Sequence, residues 1–453
     1  MAYLKLSFLI VYHIALLCFC QITSKKVIFT PEFCFVVCFL PQLIYALFYV
    51  EKWNFNLSIN TMFVYIIGVT TFVFGALLYK SYFLKKEIVN KKNNNINKIE
   101  LSNSFLLLFL FFQMIAFVIV SQAIEQATGR TNLVEAIEMF GFLSKGSGIE
   151  MANIPGKMNM ICYTSSFLWS YYLIHSLVYK YKSSKILLFL NLILSIVHHV
   201  VTGSRGGVIE LIGASLIFWY LFRGESRNWE KIISFKVVFK GIVLAIFCLI
   251  GFRFSLGLLG RSATAGETIS DYVARYLSAP LKNIDIKIRS GAMGVTRIFE
   301  WKTISSLLAF FSKFLGFDYS LILGDASTYM DINGFGLGNV YTIYYPMIQD
   351  LDFFGPIIFI FLMSIICEIL FVHAMKTAKN ESEYTHLRIS VVIYGYVFSK
   401  LIFSFFSNRF YDNVISTGMI WCIIFWIMVK IGAENKIRNG KINISNRIIL
   451  KLK

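Results

Sequence analysis

Charge is scarce in this chain. Asp, Glu, Lys and Arg make up 15% of its 453 residues, where a soluble domain carries about a quarter. Proline is scarce too, with 6 residues, so long helical runs go uninterrupted. No complete set of metal-ligating cysteines and histidines occurs. Cys34 and Cys38 share a helix face, but no His or further Cys completes a set. The 8 cysteines all fall in apolar runs and read as small packing residues. No A-x-A-type site follows the apolar run 6–22, so that run reads as a first span and not as a cleaved leader. No inverted internal repeat is visible, which argues against many transporter folds. The formal charge of +18 is strongly basic, but no basic domain with interleaved aromatics lies outside the apolar runs, so nucleic acid is not expected as a partner.

What is present is apolar. Hydrophobic residues make up 57% of the chain and aromatics 17%, with 45 Phe. A bilayer core is crossed by a helix of about 20 apolar residues. About eleven segments approach that length, near 6–22, 27–49, 59–79, 104–124, 158–178, 186–202, 207–222, 241–259, 353–373, 389–407 and 414–431. The expected fold class is all-α: a polytopic transmembrane bundle. Residues 1–259 carry spans one to eight, 260–352 form a large external loop that is partly helical, 353–432 carry spans nine to eleven, and 433–453 form a basic tail. Alternate connections collect Lys and Arg: Lys25 and Lys26; Lys80 to Lys98; Lys180, Lys182 and Lys185; Arg223 to Lys240; Lys376, Lys379 and Arg388; and the tail. The positive-inside rule makes these cytoplasmic. The loop 260–352 instead balances its charges, which suits the opposite face.

Residues able to carry chemistry gather in those external connections. Between the sixth and seventh spans runs Thr202-Gly203-Ser204-Arg205-Gly206-Gly207. Backbone N–H groups opening a helix bind anions, and Arg205 adds a guanidinium able to grip phosphate with two bonds. The plainer reading is a tight turn with an interfacial arginine. Beside it, His198 and His199 are either interfacial core residues or, at His199, a general base. Arg253 in the eighth span and Lys400 in the tenth are costly in lipid unless paired or facing water. Glu210 and Glu368 are the available partners. The large loop offers Arg289, Arg297 and Glu300. If 295–301 is helical, Arg297 and Glu300 share a face, as a surface pair or as a phosphate-binding arginine beside a base. Asn339 and Tyr341 in Gly338-Asn339-Val340-Tyr341-Thr342 suit sugar contact or serve as interfacial anchors. Asp350 and Arg409 complete the candidate binding set, Arg409 in the short Ser407-Asn408-Arg409-Phe410-Tyr411-Asp412 turn.

At these residues the chain resembles the Wzy-type O-antigen polymerases, or oligosaccharide repeat-unit polymerases. The resemblance rests on Thr202-Gly203-Ser204-Arg205-Gly206 between two spans, on the long loop before the ninth span, and on Asn339-Val340-Tyr341-Thr342 followed by Asp352-Phe353-Phe354-Gly355. It implies a GT-C-like fold and a glycosyltransferase needing no metal or other cofactor. A growing glycan on polyprenyl diphosphate would pass to a hydroxyl of a new lipid-linked repeat unit. The resemblance further implies essential external arginines, Arg205 among them, a setting in the bacterial inner membrane, and a co-polymerase that sets chain length as partner. Some members space an Arg and a Gly by ten residues. Arg130 and Gly141 meet that spacing here in a different loop, which reads as coincidence.

Two alternatives remain. An O-antigen ligase shares this layout, but generally relies on a His in the large loop, and 260–352 contains none. A flippase or transporter of the lipid-linked oligosaccharide would keep shorter loops and repeated halves.

Overall fold

The computed structural model describes residues 1–24, 27–83, 100–146, 151, 153–180, 184–203, 206–227, 229, 268–291, 300–316, 330–375, 387–432, 434–438 and 441–443. Its architecture is helical, and the chain divides into two compact units. Residues 1–87, 263–372 and 397–419 form the first; residues 88–262, 373–396 and 420–453 form the second.

Among the described residues, five helices are long and apolar enough to cross a membrane. They are α1 (Ala2–Ser24), α3 (Ile59–Phe83), α4 (Asn103–Thr128), α8 (Gly206–Ser226) and α13 (Phe354–Met375). Four shorter apolar helices accompany them: α2 (Pro31–Leu47), α7 (Lys185–Val201), α14 (Ile389–Leu401) and α16 (Thr417–Gly432). At 1.5 Å per residue, the 17 residues of α2 reach about 26 Å. The helix α6 (Asn153–Val178) is long, at 26 residues, but too polar to join the five. Its Thr164, Ser165, Ser166, Ser170 and Ser176 are all buried. Between α4 and α6 lies α5 (Leu133–Gly146).

Local chemistry sets the helix ends. Pro31 opens α2, where its missing N–H costs nothing. The Ser102 hydroxyl accepts from Phe105 N to cap α4, and Gly129 closes that helix in the left-handed conformation. In the loop 260–352 the described residues form α9 (Ile269–Leu277), α10 (Ala279–Arg289), α11 (Ser305–Leu315), a hairpin of β2 (Met330–Ile332) with β3 (Phe335–Gly338), and α12 (Tyr344–Leu351). A reciprocal capping box of Thr268 and Asp271 starts α9. The described residues of this loop are thus in part helical. A last short helix, α15 (Arg409–Val414), precedes α16.

Ten of the expected spans coincide with helices; the eighth, 241–259, lies outside the described residues. The expected span 389–407 ends early. Its helix stops at Leu401 and a turn follows. The carbonyl of Phe405 accepts from Gln42 Nε2 at 2.8 Å, and that of Ser404 accepts from the Ile343 N–H at 2.9 Å. Protein groups therefore satisfy the backbone where the helix gives out.

Within the first unit, segments far apart in sequence meet on one side. Lys5 donates to the Leu57 carbonyl at 2.6 Å. Ser58 N and Thr61 Oγ1 both donate to Asp285 of α10 at 2.7 Å. Asn408 Nδ2 donates to the Thr303 carbonyl at 2.9 Å. The connections 50–58, 260–352 and 408–413 thus pack on one another, and the charge pattern assigned all three to one face. In the second unit the tail strand β4 (Glu434–Arg438) pairs with β1 (Glu100–Leu101) and with β5 (Lys441–Asn443). That joins two connections likewise expected on a common face.

Candidate functional site

A gathering of polar groups outside the long helices lies in the first unit, around 300–306, α12 and 408–413. Asp350, on the last turn of α12, is fully buried. Its two oxygens accept from Lys302 N and Thr303 N, each at 2.7 Å. Burial pushes its pKa up, while those amides and the Thr303 side chain pull it down. Fully buried and bonded to two backbone amides, Asp350 fixes the turn that starts α11 and is closed to a sugar. From that turn Ser305 and Ser306 reach α15: Ser306 Oγ donates to the Asp412 carbonyl at 2.8 Å and Ser305 Oγ to Asp412 Oδ1 at 3.5 Å. Asn408 Nδ2 lies 3.3 Å from the same oxygen. Arg409, half-buried, holds its guanidinium 4.7 Å from the Phe403 ring centre. The Asp412 carboxyl reaches water yet is enclosed by protein on most sides. Burial pushes its pKa up to about 7, against the pull of the Ser305 hydroxyl and the Arg409 guanidinium.

The other expected residues of this unit fall nearby in sequence but hold varied posts. Arg289 is exposed and donates from Nε to Asp285 Oδ2 at 3.0 Å. Asp285 also holds the start of α3, so the pair anchors α10 there. Glu300 and Asn339 are exposed. Tyr341 is buried and stacks on Tyr345 at 4.3 Å. Asn283 Nδ2 bonds the Val340 carbonyl at 2.9 Å, which fixes this stretch. Lys400 is buried in the last turn of α14. In the Asp352-Phe353-Phe354-Gly355 stretch, a Cβ on Gly355 would meet the Met347 carbonyl oxygen at 1.9 Å. That glycine is needed for the close turn from α12 into α13.

In the second unit, Gly203 has φ +69°, and a Cβ there would lie 3.1 Å from Gly141 Cα and 3.2 Å from the Ile137 carbonyl oxygen. The Gly turn is thus seated on α5. Gly141 meets Gly203 directly, although its spacing from Arg130 reads as coincidence in the sequence. Gly206 opens α8. His199 is buried, with its ring 5.1 Å from that of Tyr163 and Nε2 3.5 Å from Ser166 Oγ. His198 bonds Asn159 Oδ1 at 2.9 Å and the Gln113 carbonyl at 3.1 Å, a satisfied structural histidine. Ser204, Arg205, Arg253 and Arg297 lie outside the described residues, so the expected pairing of Arg297 with Glu300 does too.

Two ion pairs were not foreseen in the sequence. The Glu368 carboxylate lies 3.6 Å from Lys80 Nζ, which also bonds Glu32 at 2.5 Å. Arg388 grips Glu225 with two bonds of 2.5 and 2.9 Å. Sequence took Lys80 and Arg388 as loop charges marking orientation. The missed Asp412 had one available signal, its position three residues after Arg409 on a helix. Among the described residues, no three His, Cys, Asp or Glu side chains gather closely enough to hold a metal ion.

Comparison of the chain with protein-family models, with curated proteins and with solved structures finds no match.

Proposed function

We propose that this chain is a membrane glycosyltransferase, with about eleven spans and a GT-C-like arrangement, that polymerises lipid-linked oligosaccharide repeat units at the external face of a bacterial inner membrane. The donor is a glycan on polyprenyl diphosphate. A hydroxyl of an incoming lipid-linked unit attacks its anomeric carbon, and polyprenyl diphosphate leaves. Guanidinium groups hold the diphosphate and neutralise the charge that develops on it, a role for which Arg409 beside Phe403 is the described candidate. The C-terminal tail lies in the cytoplasm, and a co-polymerase sets chain length.

The observation that carries this reading is the meeting, in one unit, of three connections assigned by charge to a single face, with Asn408 and Asp412 among the bonds that join them. A lipid-linked substrate needs such a polar platform at the edge of apolar helices. The exposed aromatic face of α11, with Phe311 at 42% and Phe314 at 71% exposure, offers apolar surface next to it.

The deciding experiment is a lipopolysaccharide gel of a strain lacking this chain. Polymerase loss leaves lipopolysaccharide capped with one repeat unit, and the ladder returns with the chain supplied on a plasmid. Complete absence of attached units would point to a ligase or a flippase and reject the reading.

A further inference from the structure

Attack by a sugar hydroxyl releases a proton, and the residues weighed from sequence as its acceptor are poorly placed for that task. Asp350 is fully buried and bonded to two backbone amides, out of reach of a hydroxyl. His199 is buried against Tyr163 and Ser166. Glu300 is exposed, and among the described residues no hydrogen bond orients its carboxylate.

Asp412 is placed differently. It lies three residues after Arg409 on α15, so the two share a helix face. Its Oδ1 is oriented by Ser305 Oγ and Asn408 Nδ2, at 3.5 and 3.3 Å. Its backbone is pinned by Ser306 Oγ. Among the described residues no hydrogen bond is made to Oδ2. One oxygen is therefore held in place on a residue that is itself exposed, which is how a positioned base differs from a buried structural carboxylate.

We propose that Asp412 is the general base of glycosyl transfer, taking through Oδ2 the proton of the acceptor hydroxyl while Arg409 faces the diphosphate. This inference rests on the polymerase reading above. The acceptor oxygen forms a bond to the anomeric carbon of the donor glycan. The bond from that carbon to the phosphate oxygen breaks, and its electron pair leaves with polyprenyl diphosphate. The hydroxyl proton passes to Asp412 and then to water. A pKa near neutrality suits this task, because the carboxylate is both available and basic enough to accept. The segments packed around Asp412 carry Glu300, Lys302, Asp350 and Arg409, and among these it is Arg409 that bears on its charge.

The test uses the full chain purified in lipid nanodiscs, with the lipid-linked repeat unit extracted from the deletion strain as substrate. The isosteric Asp412→Asn variant should elongate roughly 10²–10⁴-fold more slowly, with a KM within about threefold of the parent and an unchanged melting temperature. Asp412→Glu should recover part of the rate. An Asn variant within about threefold of the parent rate overturns the inference while leaving the polymerase reading standing. A parent protein that elongates nothing overturns the polymerase reading, and the inference with it. Should the Asn variant fail to fold, the parent's rate against pH decides: it should rise with pH and level off above about 7, and a flat profile overturns the assignment.

Discussion

At the scale of single residues, the structure separates carboxylates that hold the fold from those open to chemistry. Asp271 belongs to the first kind. Burial raises its pKa, but the Lys52 ammonium at 2.6 Å, Thr268 and the Tyr49 hydroxyl outweigh that and hold it at about 2. The folded-state pKa is lowered, so the stability it contributes is present above the unfolded value and lost as pH falls through the folded one. Lys52 is half-exposed, so solvent screens the pair and the contribution is about 1 kcal/mol. Melting temperature in detergent should fall between about pH 4 and pH 2, and Asp271→Asn should flatten that slope. Gly203 is held by geometry of another kind. Alanine there combines a left-handed φ with a 3.1 Å contact to Gly141, and should cost about 1–2 kcal/mol. A melting temperature equal to the parent's would show that the turn is not seated on α5. Sequence singled out this glycine for its backbone freedom. It had no means of telling that a helix, α5, is what the turn approaches.

At the scale of elements, the ends of helices carry information that apolarity alone lacks. Lys80 sits in the last turn of α3, past the apolar stretch 59–79, and serves two buried carboxylates from α2 and α13. Removing one member of a buried ionic cluster strands the others. Lys80→Met should therefore destabilise the protein by about 3 kcal/mol, measured by thermal unfolding, and adding Glu32→Gln and Glu368→Gln should restore most of it. No rescue in the triple variant would remove the electrostatic account. The helix Ile389–Leu401 makes a related point. An apolar run through 407 has the composition of one long helix, yet its last residues form a turn held by Gln42 and Ile343. Hydrophobicity reports burial, and a buried turn satisfied by protein groups is as apolar as a helix.

At the scale of the whole molecule, the charge pattern makes a claim about sides that labelling can check. Single cysteines at Asn56, Ser306 and Asn413, placed in a chain with its own cysteines replaced, should react with an impermeant thiol reagent added outside the cell. A cysteine at Lys180 should react only after the membrane is opened. Labelling of Lys180→Cys from outside would invert the topology drawn from Lys and Arg. The sequence by itself determined the helical class, the location of nearly every described apolar helix, and which connections keep company, because apolar length and the placement of basic residues are read along the chain. Only the tertiary structure decided that Asp350 is held by backbone amides, that Glu368 shares Lys80 with Glu32, and that Ser305 and Ser306 reach Asp412. Hydrogen bonds and ion pairs act over about 3 Å, and contacts that close between residues tens to hundreds of positions apart leave no spacing in the sequence to read.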